Sequence, residues 1–175
     1  MELLTKLEKQ ILKWAKDLPH LPESVRKWLG DNVWWIAAIG LVLTAIGALF
    51  VLFGTLLTSA ATVYVLPAVA ALALVTGLVA LAFLVLEVVV LALSIKPLQL
   101  KQKKGWVLLY VLWLLGIAYV VVNAVLTLNP FAFILQIILS AIWVAISGYF
   151  LFEIHGQFAH VEKSRGVKQA AKKKV

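Results

Sequence analysis

The stretch PAVAALALVTGLVALAFLVLEVVVLAL, residues 67–93, decides the fold. It is almost unbroken apolar sequence with a single charge, Glu87. As one helix it would be about 40 Å long, against a hydrocarbon core of about 30 Å. A tilted helix, or a first turn outside the membrane, is expected.

Three further runs have the same character, so the expected spans are 33–57, 68–93, 106–128 and 131–152. Apolar runs of this length with few charges read as transmembrane helices. The whole chain agrees: 175 residues, 63% hydrophobic, 14% charged, mean hydropathy +1.02. A soluble domain of this size could not bury that much apolar surface. The expectation is an all-α, polytopic membrane protein. Residues 1–32 form an amphipathic interfacial segment, 33–152 a four-helix transmembrane domain, and 153–175 a basic helix and tail.

The net charge of +8 is distributed by helix parity. Of the 16 Lys and Arg, six precede Val33, four lie between Ser94 and Trp106, and six follow Phe152. The other two connections carry none. This is the positive-inside pattern, and it predicts cytoplasmic termini and a cytoplasmic middle loop. Lys101, Lys103 and Lys104 are then expected to meet anionic lipid headgroups. Nucleic acid is disfavoured, because no aromatic platform or groove-reading motif accompanies the charge.

Residues 2–18 place Leu3, Leu4, Leu7, Ile11, Trp14 and Leu18 on one helical face, with lysines elsewhere. A basic amphipathic helix beside a membrane anchor is expected to lie in the interface plane. A partner-binding helix is the competing reading. Pro19-His20-Leu21-Pro22 breaks it. A short helix closed by Gly30 is expected next, with Asp31 or Asn32 capping the first span. Trp28, Trp34, Trp35 and Trp106 then sit at headgroup depth, where indole rings concentrate. Ser94-Ile95-Lys96-Pro97 is expected to end the second span. No cleavable signal peptide is legible near the N-terminus.

Small residues mark the packing faces. The first span carries Ala37, Gly40, Thr44, Gly47, Gly54 and Thr58 at alternating three- and four-residue spacing. The second offers Ala70, Ala73, Gly77 and Ala80. Such stripes let helix backbones approach in lipid. Continuing the second stripe by four and three reaches Leu84 and Glu87, so Glu87 is expected to face the bundle.

A carboxylate inside a span costs about 2.5–3.5 kcal/mol, which makes Glu87 a candidate proton or cation site. The plainer reading is a hydrogen bond to Tyr110, Ser147 or a backbone carbonyl. Asn123 and Gln136 flank Asn129-Pro130 at equal distance. They are expected to share a depth and to bond one another or line a polar vestibule. His155 and His160 are five apart, the wrong spacing for one helical face. Cysteine is absent, which excludes disulfides and thiol chemistry. No nucleotide loop, nucleophile elbow or metalloprotease motif is present. Catalysis, cofactors and metals are not expected.

The Leu18–Pro22 motif, Val25-Arg26-Lys27-Trp28 and Asp31-Asn32-Val33-Trp34-Trp35 form one set of interface signatures. Ile95-Lys96-Pro97-Leu98 followed by Lys103-Lys104-Gly105-Trp106 form another. Together they resemble a group of small, uncharacterised four-helix bacterial membrane proteins. The resemblance implies a bacterial cytoplasmic membrane and no activity. The chain differs from the small multidrug exporters, whose membrane glutamate lies in the first helix. The functional expectation is a non-enzymatic scaffold or accessory subunit, as a homo-oligomer or with a membrane protein partner. The alternatives are an oligomeric channel or proton-coupled transporter using Glu87, and lipid binding or remodelling by the amphipathic termini.

Overall fold

The computed structural model describes residues 19–126 and 130–158, with the single positions 6, 7, 10, 11 and 13. Trp14, Asn129, His160 and the C-terminal tail lie outside the described residues, as does most of the N-terminal segment. Among the described residues there are four helices and no strand. They are α1 (Glu23–Thr62), α2 (Pro67–Gln99), α3 (Lys103–Leu126) and α4 (Pro130–Glu153). Each of the four is long and apolar enough to cross a membrane. This is the architecture of a multi-pass membrane protein.

Two helix boundaries differ most from the sequence expectation, for physical reasons. No break occurs at Gly30, and α1 runs on from Glu23 for 40 residues. The Pro22 carbonyl accepts the Val25 and Arg26 amides at 3.0 and 3.1 Å, which starts the helix there. Gly30 is a point of close approach, not a terminator. A Cβ at that position would lie 2.8 Å from Gln157 Cγ. Asp31 and Asn32 are not caps. Asp31 pairs with Lys101, and the Asn32 amide donates to the Trp28 carbonyl at 2.9 Å.

The second difference is at Pro97, which lies inside α2. Its ring deletes one donor, but Leu98 is buried at the next position and holds the last turn in place. The helix then closes in a Schellman arrangement. The Gln102 amide donates to Pro97 O, and the Lys101 amide to Leu98 O, both at 2.9 Å. The position that usually takes glycine is Lys101, at φ 49°.

The helices pack in chain order: α1 on α2, α2 on α3, α3 on α4. Among the described residues no comparable packing joins α1 to α4. The bundle is therefore an arc with a seam between its first and last members. Its hydrophobic core lies at one end, around Leu91, Leu98, Trp106, Tyr110, Phe152 and Phe158. That is the basic end, which carries Arg26, Lys27, Lys96, Lys101, Lys103 and Lys104. Ile11, on the apolar face expected of the N-terminal segment, packs against this core.

At the basic end the seam is clasped shut. Glu153, at the end of α4, has a side chain only 5% exposed. Its carboxylate lies 2.7 Å from His20 Nδ1 and 3.7 Å from Arg26 Nε, and it accepts the Leu21 amide at 3.3 Å. The Tyr149 hydroxyl donates to the Pro19 carbonyl at 2.6 Å. The strap of residues 19–22 thus crosses from α1 onto α4.

Candidate functional site

Above the clasp the arc encloses a cavity of about 860 Å³ lined by all four helices. It runs along α4 from Leu151 to Leu139, about 18 Å at helical rise. Positions 140, 143, 144 and 147 line it, a spacing that sets them on one helical face. Gly40 and Thr44 line it from α1, and Gly116 from α3. Nothing lies within 4 Å of where a Cβ would sit at Gly40 or Gly116. The glycines widen the cavity. Its rim toward the seam is formed by Ile36, Leu139 and Trp143, all well exposed.

Glu87 lines this cavity from α2 and is the only acidic or basic residue among the described lining positions. No described side chain or carbonyl bonds to its carboxylate, and the serine expected as a partner is bonded elsewhere. The Ser147 hydroxyl donates to its own helix, at Trp143 O (2.7 Å) and Val144 O (3.3 Å). Trp113 Nε1 donates to Val144 O at 3.0 Å. Tyr110 lies in the aromatic core, stacked on Trp106 with ring centres 5.5 Å apart. The result is a carboxylate facing an apolar space.

The small residues divide between two surroundings. At the end far from the clasp α1 and α2 touch closely. A Cβ at Gly77 would overlap the Thr55 side chain. Ala73, Gly54 and Thr58 flank that contact. Ala70 is buried there, its carbonyl 3.4 Å from the Ser59 hydroxyl. Thr55 was not among the expected packing residues, because it falls one position off the small-residue stripe. Ala80 is half-buried on α2. At Gly47 and Gly54, as at Gly40, an added Cβ would meet nothing within 4 Å. Asn123 and Gln136 are half-buried near the far ends of α3 and α4.

The interfacial residues also divide. Trp28 and Trp35 are exposed, and Trp34 packs against Trp35 at 4.4 Å. Lys103 and Lys104 are exposed, whereas Lys101 pairs with Asp31. Trp106 departs from expectation. It is 0% exposed and donates from Nε1 to the Leu151 carbonyl at 2.8 Å. Phe152 and His155 pack on its ring. An indole suits a buried site as well as an interface once its N–H has a partner, and here α4 supplies one.

The clasp has no signature in the sequence. Glu153 is the sharp polar end of an apolar run, which marks a boundary but does not reveal a partner over a hundred positions away. No family model, curated protein or solved structure matches this chain.

Proposed function

We propose that the chain is a non-enzymatic, multi-pass binding protein of a bacterial cytoplasmic membrane, whose four-helix cavity holds a membrane-dissolved guest. The observation that carries this is Glu87, set without a partner among the described residues in a largely apolar cavity of about 860 Å³. Such volumes suit small molecules, and a few polar groups in apolar walls fix a ligand's orientation. An ionisable residue inside a membrane bundle marks function by default. The basic end is assigned to the cytoplasm by the positive-inside rule. Its exposed Lys103 and Lys104, with Trp28 and Trp35, meet anionic headgroups there.

The test is to fill the cavity. Phenylalanine at Gly116 enters open space, so the variant should fold normally. Native mass spectrometry of protein released from lipid nanodiscs should show a retained small molecule or lipid on the parent chain and none on Gly116→Phe. Equal retention by both would refute the reading.

A second reading is supported by the open glycines of α1. Gly47 and Gly54 meet no neighbour within the chain, and small-residue faces associate helices in lipid. In this reading the protein is a self-associating scaffold or accessory subunit. Gly47→Leu should then reduce an oligomer to monomers by mass in nanodiscs; a parent chain that is already monomeric ends the idea.

A further inference from the structure

The cavity also specifies what kind of guest it takes and by which route, an inference that rests on the binding role just proposed. Three features of the wall narrow the chemistry. The described lining residues supply one carboxylate and no lysine, arginine or histidine. The Ser147 hydroxyl and the Trp113 indole N–H, both in the lining, are spent on backbone carbonyls. The remaining wall is dominated by aliphatic and aromatic side chains. A bare metal cation would need about six oxygen ligands, and one carboxylate with a few hydroxyls falls short. An organic cation needs only one counter-charge, with apolar contact for the rest of its body. Trp113, Trp143 and Tyr119 line the same space and offer ring faces that attract ammonium groups.

The route follows from the seam. At the basic end the strap, Glu153 and the Gly30–Gln157 contact close the arc. Farther along, α1 and α4 lack extended packing, and the rim residues Ile36 and Trp143 are 51% and 71% exposed. In a bilayer that opening faces acyl chains.

We propose that the cavity is a binding site for an amphipathic organic cation, an amine or quaternary ammonium on an apolar body, which reaches Glu87 sideways from the lipid between α1 and α4.

The test uses the full chain in nanodiscs and three probes of equal chain length: dodecyltrimethylammonium, dodecanol and dodecyl sulfate, all below their micellar concentrations. Saturable binding is read by competition against the radiolabelled cation and, for each other probe, against its own label. The cation should bind about tenfold more tightly than either of the others, and Glu87→Gln should remove that preference. A disulfide between Gly30→Cys and Gln157→Cys locks the clasp; the two Cβ positions are closer than the roughly 3.8 Å of an ordinary disulfide, so the segments ease apart by about 1 Å to form it, and the chain has no other cysteine. Locking should leave the cation's affinity unchanged.

If dodecanol binds as tightly and Glu87→Gln changes nothing, while Gly116→Phe abolishes all binding, the cation assignment is overturned and the binding role stands. Absence of saturable binding by any probe overturns both. Loss of cation binding on locking the clasp overturns the sideways route and places the entrance at the basic end.

Discussion

Lys101 shows how one residue can hold an unfavourable backbone for a contact elsewhere. At φ 49° it occupies the left-handed region, which costs a non-glycine residue roughly 1–2 kcal/mol. Its ammonium reaches Asp31 on α1, with both side chains more than a third exposed. An ion pair so open to solvent contributes about 0–1 kcal/mol. The backbone cost is the larger quantity, so Lys101→Gly should stabilise the protein by about 1 kcal/mol. Lys101→Ala should destabilise it, since it keeps the strain and loses the pair. Thermal unfolding in mild detergent compares the three; a glycine variant less stable than the parent would show that the ion pair dominates. The strain is invisible in the sequence, where Lys101 reads as one cation in a basic loop. It follows from the α2 terminus running past Pro97, which sequence rules do not favour.

Among the elements, the α1–α2 hairpin is the tightest pairing, and one glycine sets its spacing. Any side chain at Gly77 would overlap Thr55, and the helices would have to separate. Gly77→Leu should therefore destabilise the fold by about 1–3 kcal/mol, the usual range for overpacking. Gly116→Leu, facing the open cavity, should stay within about 0.5 kcal/mol. Equal losses at the two sites, measured by thermal unfolding, would refute this division. Hydropathy made all four helices legible, because spanning a bilayer requires about 20 apolar residues whatever their neighbours are. The helix ends were less legible. Gly30 carries a terminator's signature, yet its lack of a side chain serves the approach of Gln157. Trp106 carries an interface signature, yet Leu151 supplies its partner from α4. In each case the deciding contact comes from a distant part of the chain, so local propensity was overridden by packing.

Over the whole molecule, polarity and packing coincide: the basic end is the packed end. Its orientation is open to a direct measurement. Tyr64 is 94% exposed in the turn between α1 and α2, and Lys103 is exposed at the start of α3. In intact cells a membrane-impermeant maleimide should label Tyr64→Cys and spare Lys103→Cys; the reverse pattern would invert the topology. Glu87 was legible as an oddity of composition, and the stripe spacing indicated which way it faces. The cavity around it was not, because it depends on α1 and α4 remaining apart, which no local pattern encodes. The clasp that joins those two helices has a further effect on how the molecule is made. The His20–Glu153 contact links positions 133 apart. At about 5–20 residues per second of synthesis, the strap waits on the order of ten seconds for its acceptor. Three helices are complete before the fourth brings Tyr149 and Glu153 within reach, so ring closure is a late, long-range step. In a nascent chain stalled before that point the strap lacks Tyr149 and Glu153, its partners on α4. The clasp thus forms only once the last helix has been made.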